Sequence, residues 1–387
     1  VRGAAGPATT APAPLMSLAG LRFVAAFLVF CFHLHVMGLV DEGTVGRILS
    51  WLFSQGAGGF SFFFLVSGLV LTWSLRPDDS TAQFWRRRLA RIYPNHVATW
   101  LVTLVLLMFA GTGLKAFVVL PNLFLVQAWL PDHRIFFGMN IVSWSLACEL
   151  FFYALFPLLH RTLVRLPGRS LWPAAGVTLA ATWAVPFIAQ LLPHDHRYWA
   201  IWIFPPARLP EFLTGMLLAR IIREGRWPAI AGVWPMTAVV VVAYVATGWL
   251  PIELRLVAGL ALPLALLVGA LAAADASGRA PRWCPRWLLW LGELSYAFYL
   301  IHHVVLRVVT HFAGTSHPLL AELAIAAASF VLALSASWLM YRYVERPCRR
   351  LLAPRRVAQP GVAQPGVAQP GASPAPAVHP VALENVS

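Results

Sequence analysis

The sequence predicts an all-α integral membrane protein, a bundle of about ten transmembrane helices with both termini cytoplasmic. Three observations predict it. Hydrophobic residues make up 59 % of the 387 and charged residues only 11 %, too little polar surface for the two or three soluble domains such a length would otherwise hold. Apolar runs of about 20 residues, each long enough to cross a bilayer, recur from end to end. The basic residues, nearly all Arg, gather in alternate loops between those runs. In a soluble chain a net charge of +14 would suggest nucleic acid. Beside apolar runs it is a topology signal, and no nucleic-acid partner is expected.

In chain order, residues 1–14 are small and Pro-rich and are expected to form a disordered lead-in. Ten spans follow, at 18–40, 52–75, 94–111, 141–160, 172–192, 205–222, 231–249, 252–273, 287–310 and 319–343. The run 116–130 is shorter and broken by Pro121, and reads as a re-entrant or interfacial segment. Trp51, Trp73, Trp129, Trp172, Trp202, Trp249 and Trp287 stand near span ends, as an interfacial aromatic belt requires. One set of loops carries Arg76, Arg86, Arg87, Arg88 and Arg91, then Arg161, Arg165 and Arg169, then Arg220, Arg223 and Arg226, then Arg279, Arg282 and Arg286, and finally the Arg residues from 342 to 356. The alternate loops carry only Arg47, Lys115, Arg134, Arg197 and Arg208. This asymmetry predicts cytoplasmic termini and puts Arg22 at the cytoplasmic end of the first span.

From Val357 to Gly371 the pentad Val-Ala-Gln-Pro-Gly occurs three times. With Pro and Gly at short spacing and almost no charge, it cannot bury a core. The expected division is therefore a lead-in (1–14), a membrane domain (15–352) and a disordered tail (353–387), with any chemistry inside the membrane bundle. The four cysteines make no disulfide framework: Cys31 and Cys148 lie in apolar runs, Cys284 and Cys348 in Arg-rich flanks. The first run is too long for a signal-peptide core and no cleavage site follows it. The Ala/Arg/Gly/Pro/Trp bias suggests a GC-rich bacterium, hence a bacterial cell membrane, and Val1 fits a GTG start read literally.

Ionisable groups inside spans are costly and so become functional candidates. His33 lies deep in the first span, eleven residues after Arg22. At ~100° and ~1.5 Å per residue, the two share a helix face to within ~20° and stand ~16 Å apart. That separation is comparable to the reach of a pantetheine arm, which suggests an acyl-CoA site with Arg22 near the phosphates and His33 as a base. A histidine satisfied by a neighbouring helix is the plainer alternative. His35 faces the other way and reads as structural. Arg88 and Arg91 share a face at the start of the third span and could grip phosphates bidentately, or merely anchor the helix. Ser145, Glu149 and Tyr153 recur every four residues on the fourth span; Glu149 could orient a catalytic His or Arg, or form a structural ion pair. Gly59 to Gly68 mixes small and aromatic residues, suited to close helix packing or a thin acyl chain. Ser295, Tyr299 and His302 lie along one face of the ninth span. Glu345-Arg346-Pro347 reads as a structural stop to the tenth.

Taken together these motifs resemble the acyltransferase-3 family of integral membrane O-acyltransferases. The resemblance runs from Leu18 to about Leu352 and rests on Arg22-x10-His33, Ser67-Gly68, Arg88-x-x-Arg91-Ile-Tyr-Pro94, Trp144-Ser-Leu-x-x-Glu149-x-x-Phe-Tyr153, Ser295-Tyr-x-x-Tyr-Leu-x-His302 and Glu345-x-Pro347. It implies His33 as the catalytic residue, assisted by Glu149. Arg22, Arg88 and Arg91 are implied to bind the acyl-CoA donor, and Ser67, Tyr153, Tyr296 and His302, which stand within these motifs, are further candidates for binding substrate or CoA. It implies acyl-CoA as a co-substrate and no bound cofactor, and since the spacing offers no ligand set beyond scattered His, no metal is expected. Among family branches the chain looks most like the one that acylates macrolide antibiotics on the lactone 3-hydroxyl or a mycarose sugar, with acetyl, propionyl or isovaleryl as the group moved. O-acetylation of a cell-surface polysaccharide is the alternative acceptor. A proton-coupled transporter is the alternative class, since intramembrane His, Glu and Arg would suit it too.

Overall fold

The computed structural model of the chain describes residues 14–40, 43–75, 80–255, 257–279 and 285–352. The expected lead-in, apart from Pro14, and the expected tail lie outside the described residues. The described residues form helices and connecting turns, with no strand. In order these are α1 (Met16–Val36), α2 (Gly43–Ser54), α3 (Gly58–Trp73), α4 (Thr81–Phe109), α5 (Ala116–Leu123), α6 (His133–Phe136), α7 (Trp144–Arg165) and α8 (Leu171–Ala189). Then come α9 (His194–Trp202), α10 (Pro205–Arg223), α11 (Val233–Ala246), α12 (Ile252–Arg255), α13 (Ala258–Ala276), α14 (Arg286–Ala313), α15 (Leu319–Met340) and α16 (Arg346–Leu352).

Among the described residues eight helical stretches are long and apolar enough to cross a membrane, against about ten expected. The two that differ are informative. The run at 205–222 is a helix, but α10 carries Arg208, Glu211, Arg220 and Arg223. The run at 231–249 is a 14-residue α-helix prolonged by one 3-10 turn, Thr247–Trp249. Seventeen residues span roughly 26 Å, short of a ~30 Å hydrocarbon core. The interrupted run at 116–130 is also short, with α5 holding Pro121 and a 3-10 turn at Gln127–Trp129.

Local chemistry sets the helix bounds. Ser80 and Gln83 form a reciprocal capping box at the start of α4, with Ser80 Oγ accepting from Gln83 N at 3.2 Å and Gln83 Oε1 accepting from Ser80 N at 3.0 Å. Gly314 ends α14 at φ 78°, a conformation most side chains avoid. Between α15 and α16 the helix continues through a π-turn, Tyr341–Glu345. Such turns widen a helix locally and often mark functional sites.

Close packing follows from glycine. A Cβ at Gly68 of α3 would collide with the Phe212 carbonyl of α10, and one at Gly215 of α10 would collide with the Leu65 carbonyl of α3. The two backbones therefore lie against each other, as small residues permit in lipid. Gly59 does the same for α3 against the Ala25 carbonyl of α1. Arg residues gather at one end of the bundle, where guanidiniums cap helix-terminal carbonyls. Arg223 donates to Trp73 O, Arg220 to Leu166 O at 3.0 Å, and Arg86 to Leu352 O at 3.1 Å. Arg208, expected in a polar loop, is instead buried in α10. It pairs with Glu211 at 2.8 Å, donates to Ser61 Oγ at 3.1 Å and lies over the Phe64 ring.

Candidate active site

At the Arg-rich end, α1, α3, α4, α7 and α14 enclose a cavity of about 90 Å³. Arg22 comes from the second turn of α1, Arg88 and Arg91 from the start of α4, and Ser67 from the far half of α3. The spacing of four on α7 puts Ser145, Glu149 and Tyr153 into the same cavity, and Tyr153 Oη donates to Glu149 Oε2 at 3.3 Å. Glu149 couples electrostatically to Arg91, Arg22 and Arg88. One carboxylate against three guanidiniums leaves the cavity with a surplus of positive charge. Helix-to-helix bonds hold the walls: Trp85 Nε1 of α4 donates to Tyr153 O of α7, and Tyr296 Oη of α14 donates to Ile92 O of α4, both at 2.9 Å.

Arg88 and Arg91 also line a second hollow of about 470 Å³, whose other walls are Arg87, Ala90, Tyr341, Arg346, Arg349 and Arg350. Arg88 Nε is buried with no hydrogen-bond partner. The π-turn explains how the last helix reaches this place. It turns Glu345 inward, where its Oε2 accepts from Asn95 Nδ2 at 2.7 Å, and Arg349 stands 3.5 Å from its other oxygen. The sequence motif read as a structural stop thus also carries arginines to the edge of the site. Its signal was available in the i, i+4 spacing of Glu345 and Arg349.

The inner end of the cavity is aromatic. Phe60, Phe63, Phe64 and Tyr299 line it, with the Phe63 and Tyr299 rings 5.5 Å apart. Tyr299 Oη and Ser145 Oγ are 2.6 Å apart, and both reach Val142 O. His33 and His302 lie beyond this layer and do not line the cavity. His302 is one turn past Tyr299 on α14, its ring 6.0 Å from the Tyr299 ring. His33 meets it from α1, with His302 Nε2 3.2 Å from His33 Nδ1.

The acyltransferase domain family (Acyl_transf_3) matches residues 17–342. The chain belongs to the acyltransferase-3 family. It is a multi-pass membrane protein. Acyltransferase MdmB of Streptomyces mycarofaciens is 38 % identical over 363 residues, covering 88 % of this chain and 93 % of that protein. The exopolysaccharide production protein ExoZ of Rhizobium meliloti is 28 % identical over 318 residues, or 79 % of this chain and 93 % of that one. The O-acetyltransferase OatA of Staphylococcus aureus is 27 % identical over 244 residues, which are 57 % of this chain and 36 % of that protein. No solved structure matches.

Within this family member the structure brings together seven of the sequence-predicted site residues: Arg22, Ser67, Arg88, Arg91, Glu149, Tyr153 and Tyr296. It sets His33 and His302 apart as a pair behind Tyr299. Arg22 and His33 meet different neighbours: Arg22 shares the cavity with Arg91 of α4 and Glu149 of α7, whereas His33 stands against His302 of α14. The open line between Arg22 and His33 that spacing suggests is interrupted by the Phe63–Tyr299 layer. His35, on the opposite face, bonds Ser50 of α2.

Proposed function

We propose that this acyltransferase moves a short acyl group (acetyl, propionyl or isovaleryl) from acyl-CoA to a hydroxyl of a macrolide antibiotic, the lactone 3-hydroxyl or the mycarose 4-hydroxyl. The observation that carries this reading is an arginine-lined hollow and a narrow aromatic cavity that share Arg88 and Arg91 as lining. That shape and charge suit a ligand with a polyanionic head and a thin, less polar arm. The Arg-rich end is the cytoplasmic one by the positive-inside rule, so both termini and the acyl-CoA pool lie on that side.

Arg88 and Arg91 bind the CoA phosphates with forked guanidiniums. Arg22 and Glu149 border the arm, and the thioester reaches the Phe63–Tyr299 layer, which turns aside to admit it. His33 removes the proton from the acceptor hydroxyl as its oxygen attacks the thioester carbonyl. The tetrahedral intermediate then collapses, the C–S bond breaks, and the proton held by His33 passes to the departing CoA sulfur. Neither metal nor bound cofactor enters these steps. ExoZ, the relative whose name carries exopolysaccharide, is matched at the lower identity, 28 % against 38 % for Acyltransferase MdmB, which does not favour a polysaccharide acceptor.

Purified protein in detergent, given radiolabelled acetyl-CoA and a macrolide with a free 3-hydroxyl, should yield a labelled ester identified by mass spectrometry. His33→Ala should insert normally and form no ester. Ester formed only on a glycan would move the acceptor to a cell-surface polysaccharide. No ester on either acceptor, with proton-driven macrolide uptake into vesicles, would mark a transporter. Full activity in His33→Ala would remove it as the base.

A further inference from the structure

The geometry around His33 assigns a role to His302 other than contact with substrate. His302 is fully buried on α14, its ring stacked on Phe298 and edged by Phe30. Its Nδ1 lies 3.1 Å from Phe298 O, one turn back on its own helix. A carbonyl oxygen can only accept, so Nδ1 carries the proton and Nε2 of the neutral ring carries a lone pair. His33 repeats the arrangement on α1, its Nδ1 2.9 Å from Val29 O. His33 Nδ1 is therefore protonated too, and its single hydrogen is shared between Val29 O and His302 Nε2, 3.2 Å away.

With both rings neutral, these three contacts admit one assignment of protons. His33 is held as the Nδ1–H tautomer, and its Nε2 is left with a lone pair. The hydrogen bonds of His33 among the described residues all run through Nδ1. We infer that His302 is a positioning residue, which holds His33 in the tautomer and ring orientation that leave Nε2 ready to take a proton. When His33 is protonated at Nε2, the lone pair of His302 and the Val29 carbonyl accept from the imidazolium. Base and orienter then stand in the relation that activated nucleophile–base systems use, with an imidazole as the orienting group. Without His302, Val29 O is the one hydrogen-bond acceptor left to His33 Nδ1 among the described residues, and the His303 ring of α14, edge-on at 5.1 Å, supplies packing but no hydrogen bond to fix the tautomer.

This rests on His33 being the base, and the test separates the two. In protein labelled with 15N-histidine and held in detergent, the His33 signals, assigned by their loss in His33→Asn, should show a protonated Nδ1 and an unprotonated Nε2. His302→Phe keeps the ring volume but removes the acceptor. His33 should then become a mixture of tautomers, and kcat should fall by roughly 10²-fold, as a mispositioned catalytic group costs. The KM for acetyl-CoA should not change. His302→Gln places an amide oxygen near the position of Nε2, and should restore both the tautomer and most of kcat. The inference is overturned if His33 of the wild type is the Nε2–H tautomer, or if the Phe and Gln variants behave alike. Should the Phe variant not fold, the wild-type spectrum and the Gln variant still decide. Activity in His33→Ala, by contrast, would overturn the base assignment whatever the spectra show.

Discussion

Arg88 stands in both hollows, with Nε buried and unpartnered and its guanidinium over the Phe84 ring. A charge-assisted hydrogen bond in such a place is worth ~1.5–3 kcal/mol. Arg88→Ala should therefore raise the KM for acyl-CoA by roughly 10- to 100-fold, with little change in kcat. Steady-state kinetics at varied donor concentration would read this, and an unchanged KM would remove the phosphate role. Phe63 makes a different contribution, since it helps close the inner end of the cavity. Trimming it to Ala should favour longer acyl groups, by about 10-fold or more in the kcat/KM ratio of isovaleryl- to acetyl-CoA, since about 10-fold is the low end of what one methylene commands and the two groups differ by three carbons. Competition between the two donors in one reaction measures that ratio directly. The spacing of Arg22 and His33 was readable, because helix geometry alone fixes their angle and separation. The ring layer between them was not. Which ring of α3 meets which ring of α14 depends on how α3 seats against its neighbours, a long-range matter that no local spacing encodes.

At the level of elements, the α3–α10 contact is the one the site leans on most directly. α3 supplies Phe60, Phe63, Phe64 and Ser67 to the cavity, and Gly68 sets how near α10 approaches behind it. Gly68→Val should force the helices apart and cost about 1–3 kcal/mol, the usual cost of overpacking. Gly176 of α8 faces open space, with nothing within 4 Å of the place a methyl group would take, so Gly176→Ala should leave thermal unfolding in detergent unchanged or slightly raised. Equal losses in the two variants would deny the close contact any special part. Eight apolar stretches were legible because their composition is one-sided. The run at 205–222 reads as a span by its apolar residues, but its Arg208 and Glu211 satisfy each other inside the bundle at i, i+3. Apolarity finds a helix that lipid could solvate, whereas α10 is solvated mostly by its neighbours. The π-turn was equally hidden. Glu345-Arg346-Pro347 reads as a stop, yet the helix passes through Pro347 into α16 because widening at Tyr341–Glu345 has already shifted the register.

For the whole molecule, the charge asymmetry and the placement of the cavity make a joint statement about sidedness. Arg220, Arg223 and Arg86 hold carbonyls at one end, and the arginine-lined hollow opens at that same end. If this end faces the cytoplasm, the donor enters from the compartment that makes it. His194 to Trp202, in α9, then lie on the far side. Asp195 and Arg169 are both exposed and belong to the two opposite ends. In a background with Cys284→Ser and Cys348→Ser, Asp195→Cys should react with a membrane-impermeant maleimide added to intact cells. Arg169→Cys should react only after the membrane is permeabilised. The remaining cysteines, Cys31 and Cys148, are buried and should stay silent. The reverse pattern would place the arginines outside. It would leave the cavity open to a compartment without acyl-CoA, so the donor, not only the topology, would have to be something else.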